Sequence, residues 1–248
     1  MITADQPTCF PDDVLVRVSS RSDGTVLDRA VGIHQSGIVT NRTKFCESAG
    51  ISYGDVVFQR IIYAENRSYD LIAQCDLGST TQYTSEVVAD GLVTDYPEVG
   101  LFLPVADCIA TVVYDPEQRR LGLFHLGRHS TLANLAAKAA RHFKYLGSNA
   151  ENLIVWMGPH AQKQSYKLQW FDSADDPAWQ GFYEKRSDGY YLDMAGYNTA
   201  QLLSEGVSQQ NIHVSSIDTV TNPDYFSHSQ GDAAGRIGVV ARRMRASS

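Results

Sequence analysis

A thiol and an imidazole at the ends of neighbouring apolar runs are the residues of this chain best suited to chemistry. Cys108 follows Ala106-Asp107, where the run Gly100–Val105 pauses, and His125 ends the run 121–125 just ahead of Gly127. Brought together at strand ends, they can act as a nucleophile and its base, or as two ligands of a soft metal site. Packing explains the same residue types: cysteine is among the most often buried residues, and a buried histidine can satisfy its nitrogens on the backbone. His129 lies four residues beyond His125, but a helix beginning at Ser130 puts the two histidines astride its N-terminus, out of the helical register of a zincin site.

The elements that must position this pair can be read from pattern. Val14–Val18 is a strand that runs into turn formers at 19–24. Residues 41–49 predict a short helix stopped by Gly50, and 56–63 and 69–74 predict extended segments. Segment 76–86 is a polar loop. Gly100–Val105, 109–114 and 121–125 are apolar runs of strand length, which predicts buried neighbouring strands. Ser130 can cap a helix through Leu132, Leu135, Ala136, Ala139 and Phe143, with Gly147 at its stop. Residues 153–157 form another strand, 193–205 a second amphipathic helix, and 212–217 and 237–240 the last strands. The expected class is α/β (α+β), a mixed-sheet protein with flanking helices, and residues 1–248 are expected to be a single domain.

Composition narrows the partners. The 21 basic and 28 acidic residues give a net charge of −7, which disfavours nucleic acid and anionic membrane. Arg236, Arg242, Arg243 and Arg245 form the one dense cationic cluster and are expected to be a solvated tail. Residues 1–13 lack the basic and apolar regions of a secretory signal, and the four cysteines are widely spaced, so a cytoplasmic protein with reduced thiols is expected. Seven scattered histidines cannot supply blue and coupled copper sites.

Taken together, the words around Cys108 and His125 point further. The stretch 89–108 (ADGLVTDYPEVGLFLPVADC), Asp115-Pro116 and the HLG of His125 to Gly127 resemble the laccase-domain family, also called multicopper polyphenol oxidoreductase or purine nucleoside phosphorylase-like. Its pattern is D-G/A-L-V-T, then T-A-D-C, then H-A-G-W-R-G. Ser20-Arg21, Asn41-Arg42, Gly158-Pro159 with Tyr166, Thr219, Tyr225-Phe226-Ser227 and Gly235-Arg236 match further family words in order. The resemblance implies mixed β-sheets packed as a sandwich, as in the cytotoxic necrotizing factor-like fold. It also implies phosphorolysis of purine nucleosides such as adenosine, inosine or methylthioadenosine, with deamination of adenosine as a second activity.

In the family an early histidine joins the cysteine and the later histidine at a zinc-binding catalytic centre. Cys108 and His125 match two of these ligands, while Tyr63 falls at the third, and no histidine lies between His34 and His125. A neutral phenol is a poor zinc ligand, so zinc affinity is expected to be reduced or lost. Cys75 and Asp76 are the alternative ligands if their loop folds back. The H-A-G-W-R-G word reads His125-Leu126-Gly127-Arg128-His129-Ser130, the F-F-S-Y-R-R word reads Tyr225-Phe226-Ser227-His228-Ser229-Gln230, and Lys167 replaces a glutamate. Arg21, Arg128, His129, Lys167 and Arg236 are left to bind substrate and phosphate, with Asp107 orienting a neighbour. Three functions follow: a purine nucleoside phosphorylase-like enzyme, a metal-free hydrolase with Cys108 as nucleophile and His125 as base, and a non-catalytic protein that keeps the fold.

Overall fold

The computed structural model describes residues 1–232 and 234–244. In chain order its elements are β1 (Val14–Val18), α1 (Ser36–Ser48), β2 (Val56–Arg60), β3 (Ile72–Gln74), β4 (Val87–Val88), β5 (Gly91–Thr94), β6 (Gly100–Val105), β7 (Ile109–Asp115), β8 (Arg120–Leu126), α2 (Arg128–Leu132), α3 (Leu135–Tyr145), β9 (Ile154–Met157), β10 (Lys167–Leu168), β11 (Tyr183–Arg186), β12 (Gly189–Leu192), α4 (Met194–Ser204), β13 (Ile212–Val214) and β14 (Ile237–Arg243). No helix among the described residues is long and apolar enough to cross a membrane.

Strands β1-β14-β6-β2-β4 form one sheet and β13-β9-β7-β8-β5-β3 another, with a small sheet β10-β12-β11 beside them. Both large sheets are mixed: β2 runs parallel to β6 while β14 runs antiparallel to it, and β3 runs parallel to β5 while β8 runs antiparallel. Residues of alternate parity along each strand enter different cores. Leu101, Leu103 and Val239 meet Val112, Leu121 and Leu123 between the two large sheets. Val113, Phe124 and Leu126 face the other way, onto Leu135, Ala139 and Phe143 of α3 and Leu202 of α4. Phe58, Phe102 and Val240 cover the outer face of the five-stranded sheet together with Phe45 and Cys46 of α1. The molecule is thus a two-sheet sandwich with helices outside, and strands buried on both faces read as unbroken apolar runs rather than as alternation. Each fully buried Leu or Phe contributes roughly 1.5–3 kcal/mol to this packing.

Three sequence expectations are corrected. The helix expected from Ser130 is broken into α2 and α3 because Asn134 adopts left-handed backbone at φ 58°, which asparagine tolerates better than most residues. Helix α1 begins at Ser36, well before Asn41, because the Gln35 side chain accepts the N–H of Ile38. The C-terminal arginines are not a solvated tail. Arg242 and Arg243 lie in β14 and donate to the carbonyls of Pro97 and Asp95, and Arg236 is buried. Arg245 lies outside the described residues.

Candidate active site

Period-two alternation places His125 on the same face of β8 as Leu121 and Leu123, at the end of the sandwich between the two large sheets. Its neighbour across the ladder is Ala110, so Cys108, two residues earlier, comes to the same end. The two side chains converge on Gly127. A Cβ built there would sit 2.8 Å from His125 Cε1 and 3.1 Å from Cys108 Sγ, so the missing side chain is what leaves room for thiol and imidazole together.

Asp107 sets the direction of Cys108. Its backbone is left-handed at φ 67°, which turns the chain between β6 and β7. Its buried carboxylate accepts Thr219 Oγ1 at 2.7 Å, Ser227 Oγ at 3.1 Å and the Ser229 N–H at 2.8 Å. A carboxylate holding three donors is an anchor for the 219–229 segment, and Asp107 stands behind the site rather than on its wall.

In front of Cys108 and His125 opens a cavity of about 880 Å³. Of the residues singled out from sequence, Tyr63, Arg128, His129, Lys167 and Arg236 line it with them. Arg21 does not. Its guanidinium pairs with Asp232 at 2.6 Å and stacks 4.4 Å from the Phe226 ring centroid, so it fastens two loops outside the cavity. Lys167 reaches the wall, but its ammonium is held by Asp188 at 2.7 Å. Arg29, Tyr166, His228 and Ser229 also line the cavity and were not assigned to the site from sequence. Tyr166, His228 and Ser229 lie inside family-like words, which is the signal that could have found them. Arg29 lies in a turn-rich stretch with no such word.

The cavity favours uncharged forms of its acids and bases. Burial pushes the Cys108 thiol up to about 11, and the Asp107 carboxylate adds to it against the opposing pull of Arg236 and Arg29. Burial pushes His125 down to about 3, reinforced by Arg67, Arg29 and Arg236. The Tyr63 hydroxyl is pushed up by burial and by Cys108, although its ring is 46% exposed at the rim. A protonated thiol, a neutral imidazole and a neutral phenol therefore share one space. Around them stand Arg29, whose guanidinium lies 4.9 Å from the Tyr63 ring centroid, and the stacked pair Tyr69 and His129.

The donors do not fit a three-ligand zinc centre. Among the described residues no group of three or more His, Cys, Asp or Glu is arranged to hold a metal. Tyr63 does line the cavity as the third side chain, but as a phenol. The fallback ligands are elsewhere. Cys75 is buried in the inter-sheet core with its thiol on the Ala73 carbonyl, and Asp76 is exposed, accepting the Ser79 N–H. Both follow β3, at the edge of the six-stranded sheet, and its short loop does not turn back to the cavity.

Comparison with known proteins agrees with this architecture. The structure superposes on YfiH of Bacillus licheniformis with a TM-score of 0.79 at 24% identity, covering 94% of this chain and 93% of that one. It superposes on YlmD of Geobacillus stearothermophilus with a TM-score of 0.79 at 22% identity, covering 96% and 94%. A purine nucleoside phosphorylase of Bacteroides thetaiotaomicron is 22% identical over 74% of this chain and 69% of its own length. One of Corynebacterium glutamicum is 26% identical over 83% and 81%. For the similarly named protein of Xylella fastidiosa the match spans 61% of that protein's length, at 25% identity over 63% of this chain. The model of the multi-copper polyphenol oxidoreductase laccase family matches residues 19–243, and the chain belongs to that family.

Proposed function

We propose that this protein is a purine nucleoside phosphorylase-type enzyme, acting on small-molecule purine nucleosides and inorganic phosphate. The observation that carries the reading is one cavity that combines neutral proton donors at Cys108 and Tyr63 with guanidiniums unpaired by any carboxylate among the described residues. Its volume falls within the usual range for small-molecule sites. The names carried by the relatives support the same reaction.

Phosphorolysis breaks the bond between ribose C1′ and purine N9 while a phosphate oxygen bonds to C1′. The electron pair of the broken bond goes to the purine, which leaves more easily when a proton reaches its ring. Cys108 and Tyr63 each carry a proton at neutral pH and can donate it. His125, held neutral, can accept or donate one hydrogen bond but brings no charge to repel a developing cation on the sugar. The same protonation states speak against a resting thiolate, so the cysteine-nucleophile alternative gains no support from this site.

Purified protein incubated with adenosine, inosine or methylthioadenosine should release free base only when phosphate is present, with ribose 1-phosphate (or its methylthio analogue) as co-product. Cys108→Ala and His125→Ala should each reduce the rate by about 100-fold or more. Absence of base release from every purine nucleoside, in the presence of phosphate, overturns the reading.

A further inference from the structure

We propose that Arg29 and Arg236 form a two-guanidinium clamp for a phosphate-type dianion beside Cys108. The proposal deepens the phosphorylase reading by naming the phosphate seat, and its core residue pair includes one that no family word contains.

Arg236 sits just before β14 and is only 6% exposed. Its Nη1 donates to the carbonyls of Gly235 at 2.6 Å and Asp232 at 3.4 Å, and no carboxylate among the described residues pairs with it. Carbonyl dipoles orient a guanidinium without neutralising it, and the Asp107 and Asp232 carboxylates act on it only from beyond salt-bridge distance. Beside it stands a second cation. Arg29 lines the same cavity from the rim, with its guanidinium against the Tyr63 ring and no carboxylate partner among the described residues. Burial and the Arg29 charge both push Arg236 below its ordinary range, which is the mark of two like charges facing one space.

Arg128 and His129 also line the wall, and the remaining cations near the cavity are committed. Arg60 pairs with Glu86, Lys167 with Asp188 and Arg67 with Asp90. Asp28 lines the cavity too, but one of its carboxylate oxygens is taken by the Ala30 N–H at 2.7 Å. Arg29 and Arg236 thus share one cavity wall with a thiol and a phenol, and neither is held in a salt bridge among the described residues. Guanidinium forks match tetrahedral oxyanions by paired N–H donation, and a dianion placed between two of them relieves their repulsion. The aromatic support under Arg29 holds its plane in place before the anion arrives. Such an anion can be free phosphate or the phosphate of a phosphorylated nucleoside.

Titration calorimetry with inorganic phosphate, and separately with adenosine 5′-monophosphate, at constant ionic strength tests the clamp. Arg29→Ala should weaken phosphate binding by about tenfold or more and Arg29→Lys by less, because lysine keeps charge without the fork. Arg186→Ala, which removes a surface partner of Glu184 away from the cavity, should change nothing. Arg29 is exposed on a loop, so its variants should fold, and circular dichroism checks this. Binding of phosphate alone assigns the seat to the free anion, and binding of the monophosphate in competition with phosphate assigns it to the ester; either upholds the clamp if lost with Arg29. Wild-type protein that binds neither anion, or Arg29→Ala that binds phosphate as wild type does, overturns it. Arg29-dependent binding in a protein that cleaves no nucleoside would keep the clamp and remove the phosphorylase reading. Cleavage whose phosphate KM is unmoved by Arg29→Ala would do the reverse.

Discussion

At the scale of single residues, the site depends on one absent side chain and one buried carboxylate. Gly127 has ordinary extended backbone at φ −96°, so alanine is allowed there conformationally, and any effect of Gly127→Ala is steric. The added methyl would press on the His125 imidazole at 2.8 Å and on the Cys108 sulfur at 3.1 Å, displacing both from their present positions on the cavity wall. Gly127→Ala is expected to lower nucleoside turnover by about tenfold or more while the far-ultraviolet circular dichroism stays native; unchanged turnover would refute the convergence on Gly127. Asp107→Ala removes the acceptor of three hydrogen bonds and leaves a β-carbon in left-handed backbone. A loss of at least about 2 kcal/mol in urea unfolding is expected, with Asp107→Asn losing less because asparagine tolerates that conformation. Much of this was legible in the sequence: the types and spacing of Cys108 and His125, and the family word that set Tyr63 opposite them. Arg29 is not, because a cation on an irregular loop leaves no periodic trace, and sequence cannot show that Asp232 holds Arg21 outside the cavity.

At the scale of elements, the critical joint is the passage from β8 into α2. Ser130 is buried there, and its Oγ accepts the Gly127 N–H at 2.9 Å and donates to the His125 carbonyl at 2.6 Å. The hydroxyl thus closes the turn that carries both His125 and the floor of the cavity. Ser130→Ala leaves a buried donor and a buried acceptor without their partner, which should cost about 1–3 kcal/mol of stability and displace His125. Chemical denaturation with a parallel activity assay checks this, and a variant as stable and active as wild type would rule the joint out as a positioning device. Sequence pattern found β6, β7 and β8 almost to the residue because buried strands between turns are unambiguous. It missed β10, β11 and β12, which are two to four residues long, largely uncovered and carry Lys167, Glu184, Lys185 and Arg186. Such a small sheet is held by its contact with the α3 and α4 core rather than by its own pattern.

At the scale of the whole molecule, the acidic chain carries its buried histidines uncharged, and this fixes how it responds to acid. His125 is pushed down to about 3 by burial and neighbouring cations, and His160, 1% exposed, is lowered by burial against the opposing pull of the Gly158 carbonyl and Asp218. In the unfolded chain both titrate near 6.5. Below that pH the unfolded state takes up protons that the folded state refuses, so the stability these neutral rings confer is present above about 6.5 and is lost as pH falls. Between about pH 6.5 and 5, above the range where most carboxylates titrate, the unfolding free energy should decline with a slope approaching about 1.4 kcal/mol per pH unit for His125, with a further decline in the same direction from His160. His160→Asn can still offer a donor to the Gly158 carbonyl, which His160 Nδ1 meets at 2.8 Å, but cannot titrate. Urea midpoints measured across this window should therefore show a shallower pH dependence in His160→Asn, with the two proteins closest in stability at the acid end. Equal slopes in the variant and the wild type would mean that His160 takes up its proton as readily in the folded protein as in the unfolded chain, and the neutral packing assigned to that end of the six-stranded sheet would have to be abandoned.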